Sequence, residues 1–354
     1  MIRSTSNEKL AIWAITPNGA RLALRLADDI GPADLHLSAS LAAAVARALP
    51  FERLADAVSA SFDRYRRHVF IMSTGIVVRV IAGCLRRKTV DPAVVVVDEA
   101  GRHAISLLSG HLGGANRLAA AVADAVGGVP VITTATDVNQ LPAIDVIAQQ
   151  RNLRIENPEA IKHVNMALLT GAPIVVHDPY AFLEGTLPPG PTTLTAEPEA
   201  DLAPGAAGVS VADTRRALGD RWLRLRPPIL AAGMGCNRNT PADEMRDLLA
   251  RVLEASRLVV GSLTCLATID IKRDEPGLIA LAAELAVPLK LYSKQELNRV
   301  RGVASPSAMV KKHVGVESVC EAAAILATDN GSLIVSKQRT RNVTLAIARK
   351  AFTS

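Results

Sequence analysis

The sequence predicts an α/β protein: open, mostly parallel sheets with flanking helices, in two main lobes with a small middle segment. Three observations predict it. Short aliphatic runs such as Ala93 to Val97 (AVVVV) read as buried strands, and they alternate with segments of helical apolar spacing. Strands alternating with helices favour parallel pairing, because the helix carries the chain back. Of the 354 residues, 49% are hydrophobic but only 3% are aromatic, so the core must be packed from Ala, Val, Leu and Ile. That length suits two or three domains at ~100–200 residues each. The boundaries fall at 1–148 for an N-terminal α/β domain, 149–227 for the middle segment and 228–354 for a C-terminal α/β domain, with Pro227-Pro228 as linker.

The elements follow in order. Leu10 to Ile15 is a strand, Thr16-Pro17-Asn18-Gly19 a turn, and Ala20 to Ile30 a helix. Asp34 to Leu37 is a short strand, and Leu41 to Phe62 reads as helical with a break near Pro50. Val69 to Met72 is a strand ending in Ser73-Thr74-Gly75, before the apolar helix Ile76 to Leu85 with Arg79. Ala93 to Val97 ends in Asp98-Glu99. The strand-like run that stops at Ser109 leads into the Ala-rich helix Ala115 to Val126. Val129 to Thr133 then closes on Thr134-Ala135-Thr136-Asp137. Asp145 to Lys162 looks helical with a break at Asn157-Pro158; Pro173 to Val176 is a strand; Thr186 to Ala207, rich in Pro, Gly and Thr, is a loop; Leu223 to Leu225 is a short strand. Beyond the linker, strands fit Ile229 to Ala232, Leu266 to Ile271, Leu289 to Tyr292, Ser332 to Val335 and Thr344 to Ala348, with a turn at Gly233 to Thr240. Helices fit Pro241 to Glu254, Pro276 to Leu285, Lys294 to Val300, Ser307 to His313 and Ser318 to Ala327.

Composition excludes several functions. The net charge of +6 is a mild excess without a long basic block; it is either an ordinary solvated surface or an attraction for a polyanionic small substrate. Nucleic acid is not an expected partner, because aromatic stacking platforms and recognition motifs are missing. Cys84, Cys236, Cys265 and Cys320 are widely spaced and form no C-x-x-C pair, which argues against a disulfide framework or a structural metal site. No signal peptide is recognisable, and no apolar run reaches the ~18 residues of a membrane span. The expected location is the cytoplasm.

The richest stretch is SLLSGHLGGAN, Ser106 to Asn116. Gly110, Gly113 and Gly114 allow close backbone approach, and the following helix would leave its first N–H groups free for an anion or a developing oxyanion. His111 beside them is the candidate proton carrier, since imidazole titrates near neutrality. The bland alternative is a loop histidine bonded to backbone. Asp98 or Glu99 would orient it or act as base, or else serve as turn carboxylates. Ser109 lies outside a G-x-S-x-G elbow and makes a weak nucleophile candidate. In an open, mostly parallel sheet of this kind, Gly75, Asp98-Glu99, Thr133, Thr134 and Asp137 would converge with Ser109 to Asn116 on one rim. Arg79, Lys88 and Arg102 are candidate carboxylate binders or surface charges. Gly233-Met234-Gly235 fails as a dinucleotide fingerprint, because Arg238 stands where the third glycine belongs. A turn offering Gly235, Arg238 and Thr240 to a carboxylate is an alternative to a purely structural turn. Asp270 and Lys272 form a polar cluster at a strand end, or a solvated loop.

These motifs together resemble a known family. DPAVVVVDEAGRHAISLLSGHLGGANRLA at Asp91 to Ala119 and PVITTATD at Pro130 to Asp137 closely resemble the amino-terminal region of the CbiG family, the cobalt-precorrin 5A hydrolases of anaerobic cobalamin biosynthesis. GMGCNRNT at Gly233 to Thr240, ATIDIKRDEPGL at Ala267 to Leu278 and VTLAIAR at Val343 to Arg349 resemble its carboxyl-terminal part and the related CobE-like domain of the aerobic pathway. The resemblance spans nearly the whole chain and is weakest from about Arg151 to Pro228. One departure stands at Arg238-Asn239-Thr240, where many relatives read R-x-G-T; Asn tolerates left-handed backbone better than most residues. The resemblance implies a cobalt-bearing, ring-contracted tetrapyrrole substrate. Water opens its ring A acetate lactone and a carbinol fragment leaves as acetaldehyde, giving cobalt-precorrin 5B. It implies no cofactor and no protein metal site, because cobalt arrives inside the substrate. Other enzymes of the pathway and a second copy of the chain are the further partners to consider, with no nucleic acid and no membrane. The rival readings are a non-catalytic corrinoid carrier and a nucleotide-binding regulator.

Overall fold

The computed structural model describes residues 9–87, 90–301 and 318–352. The expected helix Ser307 to His313 and the candidate Lys88 lie outside them. The chain divides after Val146 into two compact units. Among the described residues, no helix is long and apolar enough to cross a membrane.

Unit 1 is built on β1 (Leu10–Ala14), β2 (Ala33–Ser38), β3 (Ala48–Phe51), β4 (Arg67–Ile71), β5 (Ala93–Val97), β6 (His103–Leu108) and β7 (Val129–Val131). They form one seven-stranded sheet in the order β3-β2-β1-β4-β5-β6-β7. Every residue of β1 and β5 is buried, as continuous aliphatic strands require when both faces are covered. Alternate residues feed two cores. Leu10, Ile12, Val95 and Val97 pack under the helices Pro17–Asp29 and Ala115–Val126. Trp13, Phe70, Val94 and Val96 pack under the helices Leu54–Ser61 and Thr74–Ile81.

One pairing overturns the expected convergence on a single rim. β5 and β6 are antiparallel, with Val97 opposite Ala104 and Val94 opposite Leu108. The other five strands join in parallel on either side of this pair. β6 therefore ends where β5 begins, and β7, parallel to β6, ends there too. Ser109 to Asn116 and Thr133 to Asp137 share that rim. Asp98-Glu99 and Ser73-Thr74-Gly75 stand at the opposite one. The five residues between β5 and β6 leave room for a turn but not for a crossover helix.

Two helical expectations also give way. Leu41 to Phe62 is not one broken helix: it takes in the end of the helix Ala39–Ala42, then β3, then the helix Leu54–Ser61. Pro50 sits in β3, an edge strand, where a residue without an N–H is tolerated. Asp145 to Lys162 is likewise split. The helix Ile144–Gln150 stops before Asn152, which takes a left-handed φ of 54°, and a short strand and the helix Ile161–Thr170 follow.

Unit 2 carries two five-stranded sheets. The first holds β8 (Arg154–Ile155), β9 (Ile174–His177), β10 (Thr192–Leu194), β11 (Ala207–Val211) and β12 (Trp222–Arg226) in the order β10-β9-β11-β12-β8, with only β8 antiparallel. The supposed loop Thr186 to Ala207 thus contains β10 and the first residue of β11. β11 is fully buried, and its Gly208 leaves room for the indole of Trp222; a Cβ there would lie 2.3 Å from the ring. The second sheet holds β13 (Leu230–Cys236), β14 (Leu263–Ile269), β15 (Leu289–Tyr292), β16 (Ser332–Arg339) and β17 (Val343–Arg349), in the order β15-β14-β13-β17-β16. β13 continues through Gly233 to Cys236, so the expected turn begins four residues later than the sequence suggested. Gly233 is there for packing: its absent Cβ would lie 1.9 Å from the carbonyl oxygen of Cys320 in the helix Val319–Ala327.

Candidate active site

β6 delivers the chain to Ser109, which stands at φ 57° with its hydroxyl donating to the Asp91 carbonyl. Gly113 folds back onto Ser109, where a Cβ would come within 2.4 Å of the serine Cβ. Gly114, at φ 84°, starts the helix Ala115–Val126. The loop then closes on itself. The N–H groups of Gly114, Ala115 and Asn116 donate to the carbonyls of His111, Ser109 and Gly110. The expected set of free main-chain donors is therefore mostly spent inside the turn, a correction to the oxyanion cradle assigned to Gly113 and Gly114. The loop fixes a side chain in place: it holds the His111 imidazole, only 9% exposed, against the segment after β7.

Around that ring the groups are dense. His111 Nε2 lies 2.8 Å from Asp137 Oδ2 and 3.1 Å from Thr136 Oγ1. Its Nδ1 faces the buried Asp145 carboxylate at 3.6 Å, an ion-pair distance. Asp137 Oδ2 also accepts from Thr134 Oγ1 at 2.5 Å and from Asn116 Nδ2 at 3.1 Å. Asn116 is buried and oriented by Ser106, whose hydroxyl donates to its Oδ1 at 2.7 Å. A Cβ at Gly110 would stand 2.7 Å from that same Oδ1, so a larger residue there would displace the Asn116 amide.

The electrostatics follow from this arrangement. Asp145 facing Nδ1 raises the His111 pKa; partial burial works against it, and Asp137 adds to the rise. Burial would push Asp137 up, but the Thr134 hydroxyl and His111 hold it below the usual carboxylate range. The arrangement favours the imidazolium form of His111, set between two carboxylates. One of these is buried, and the other is 40% exposed at its side chain.

Of the sequence candidates, the structure brings together His111, Ser109, Gly110, Gly113, Gly114, Asn116, Thr134 and Asp137, with Thr133 exposed in the adjoining segment. It does not bring Asp98 or Glu99 to His111. Asp98 caps the β5–β6 turn, accepting from the N–H groups of Ala100 and His103; burial alone would raise its pKa, and these bonds hold it low. Arg79 folds onto its own helix, donating to the Gly75 carbonyl at 2.8 Å. Sequence reasoning missed Asp145, Thr136 and Ser106. A signal for Asp145 was present: it is the only charged side chain in the otherwise largely apolar stretch Leu141 to Ala148.

The unit 2 candidates form a separate cluster. Gly235 is paired within the sheet opposite Thr344. Asn239 takes φ 59°, the left-handed turn that its glycine-like position demands. Arg238 pairs with Asp274 at 2.8 Å, and Lys272 with the fully buried Glu275 at 3.0 Å; Glu275 also accepts from the Asn239 N–H. The Thr240 hydroxyl donates to the Asn237 carbonyl, and Asp270 opens a turn of 3-10 helix. Burial pushes the neighbouring Cys236 thiol up to about 11.

Comparison with known proteins covers both units. The family profiles described as Cobalamin synthesis G N-terminal, Cobalamin biosynthesis central region and Cobalamin synthesis G C-terminus match residues 56–137, 142–227 and 230–348. The cobalt-precorrin-5A hydrolase of Salmonella typhimurium is 36% identical over 96% of this chain and 97% of its own length. That of Priestia megaterium is 32% identical over 97% and 96%. Protein CobE of a Sinorhizobium species is 34% identical over 34% of this chain and 80% of its own.

Proposed function

We propose a mechanism on the premise that this chain belongs to the CbiG family of cobalamin synthesis, whose curated members it matches along nearly their whole length are cobalt-precorrin-5A hydrolases. On this reading, water opens the ring A acetate lactone of a cobalt-bearing tetrapyrrole. The carbinol fragment then leaves as acetaldehyde, and cobalt-precorrin 5B remains. Cobalt enters as part of the substrate, and the reading assigns the protein no cofactor of its own.

The observation that carries the mechanism is His111 held between Asp145 and Asp137. Asp145 keeps the ring oriented and charged, and Thr136 steadies Nε2. In the first step a water oxygen bonds to the acyl carbon and the acyl C–O bond breaks. The water's proton passes to Asp137, and the Nε2 proton of His111 passes to the departing alkoxide. In the second step the now neutral imidazole takes the hydroxyl proton back. The carbon–carbon bond to the macrocycle breaks, its electron pair stays on the ring carbon, and the proton held by Asp137 is delivered there. His111 and Asp137 both return to their starting states. General acid–base groups of this kind contribute ~10²–10⁴-fold. The His111→Ala variant, incubated with cobalt-precorrin 5A and an aldehyde trap, is expected to lose acetaldehyde release by about that factor while keeping the parent circular dichroism spectrum at the assay temperature. Undiminished release would remove His111 from the chemistry.

A further inference from the structure

Unit 2 has a pocket that none of the groups above uses. It encloses about 600 Å³ and is lined by Arg154, Arg215, Arg216, Arg224 and Arg226, with Glu156 as its one carboxylate. That volume lies within the ~300–1,000 Å³ typical of small-ligand sites. An adjoining hollow shares Arg215 and Arg216 and adds Arg257 and the carboxylate of Glu254.

The walls are built structure. Thr214 bridges to Leu258, and the Arg215 N–H donates to the Arg257 carbonyl at 2.6 Å, which ties the loop after β11 to the turn after the helix Ala242–Ala255. Arg226 is buried, with Nε on Glu156 at 2.5 Å and Nη1 on the carbonyls of Ala212 and Thr214 at 2.9 and 3.0 Å. Arg154 donates to the Gly261 carbonyl and Arg224 to the Leu218 carbonyl. Carbonyl partners orient a guanidinium without cancelling its charge, so the forks stand preset and the field of the pocket stays positive. Glu156 registers that field: burial would raise its pKa, yet the Arg226 hydrogen bond and the charges of Arg226, Arg224 and Arg215 hold it low. Arg216 has an outside partner, Glu197, which is largely exposed and therefore easily displaced. Ile155, Leu218, Val259 and Val260 supply an aliphatic floor.

Arginine forks over an aliphatic floor fit a ligand with an apolar body and several carboxylates along its edge. We propose that this pocket docks the carboxylate-bearing edge of a polycarboxylate macrocycle, the substrate class of the function proposed above, on which this inference rests. Planar forks match carboxylates two bonds at a time, and the floor takes the ring's apolar face.

The probe is cobalt uroporphyrin, an octacarboxylate, titrated into the full-length protein and followed by absorbance. The double variant R215Q/R216Q and, independently, Ala217→Asp in the same lining are each expected to weaken binding ~10-fold or more. Both variants should keep the parent thermal transition, and R47Q/R53Q, which alters exposed arginines of unit 1, should keep parent affinity. Parent-like affinity in both pocket variants overturns the proposal. So does displacement of the macrocycle by pyrophosphate at lower concentration than by citrate, which would make the site one for phosphate. His111→Ala separates the two readings. If it abolishes turnover while the pocket variants bind normally, the docking proposal fails and the function stands. If it leaves turnover intact while the pocket variants lose affinity, the catalytic assignment fails and the docking stands.

Discussion

His111 has a carboxylate on each side of its ring, and this decides its protonation. Opposite unit charges ~4 Å apart attract by about 4 kcal/mol at an effective dielectric near 20. Partial burial opposes the charge, but two such neighbours outweigh it, in line with the raised pKa. A group that works by holding a proton is active below its folded pKa and fails as pH rises through it. Asp145→Asn removes the largest cause of the rise while keeping nearly the same shape. The alkaline limb of the pH profile for acetaldehyde release is therefore expected to move to lower pH. An unmoved limb, with kcat merely scaled, would mean that Asp145 only packs. The neighbouring glycines have narrower duties. Gly110 makes room for Asn116 and Gly113 for Ser109, so both shape the loop that presents the imidazole.

At the scale of elements, two packing decisions organise the protein. The β5–β6 hairpin turns one strand around inside a parallel sheet and thereby assigns His111 and Asp137 to one rim and Asp98 to the other. In unit 2 the helix Val319–Ala327 lies so close to β13 that Gly233 touches its backbone. Gly233→Ala would force the two apart. Overpacking of this sort costs about 1–3 kcal/mol, or roughly 2–4 °C in Tm for each kcal/mol in a unit of this size. Thermal melting followed by circular dichroism measures it, and an unchanged transition would show that the helix can slide at little cost.

At the scale of the whole molecule, unit 1 carries an acid-sensitive histidine cluster and each unit has its own tryptophan reporter. The chain contains two tryptophans, Trp13 in unit 1 and Trp222 in unit 2. Trp13 Nε1 donates to His68 Nδ1 at 3.1 Å, while Tyr65 links His36 to Asp34. Burial lowers both His36 and His68 to about 4. A protonated His68 could no longer accept from Trp13. The unfolded chain binds these protons first, at about pH 6.5, so stability rises with pH across this window. It is complete above ~6.5 and is lost progressively down to ~4. In a Trp222→Phe background, the urea midpoint reported by Trp13 is expected to fall steeply between those limits. His68→Gln should flatten that slope; an equally steep slope in the variant would place the acid-sensitive groups elsewhere.

Much of the local structure was legible in the chain alone. AVVVV reads as a buried strand, and SGHLGGAN announces a tight loop before a helix, because aliphatic runs and clustered glycines act through neighbouring residues. Edge strands and small-residue strands were harder to see: β3 contains a proline and β11 reads AGVSV, and each owes its conformation to the strand beside it. The composition of the site was legible in part. His111, Asn116, Thr134 and Asp137 stood out, whereas Asp145 lay in a helix whose only sign was one carboxylate among apolar residues. What the amino-acid order determined by itself was family, chemistry-bearing residue types and the α/β class. Only the tertiary structure decided which carboxylates face the imidazole. Strand direction depends on hydrogen bonds between segments far apart in sequence, and one antiparallel pairing carries Asp98 away from His111 and brings Asp137 to it.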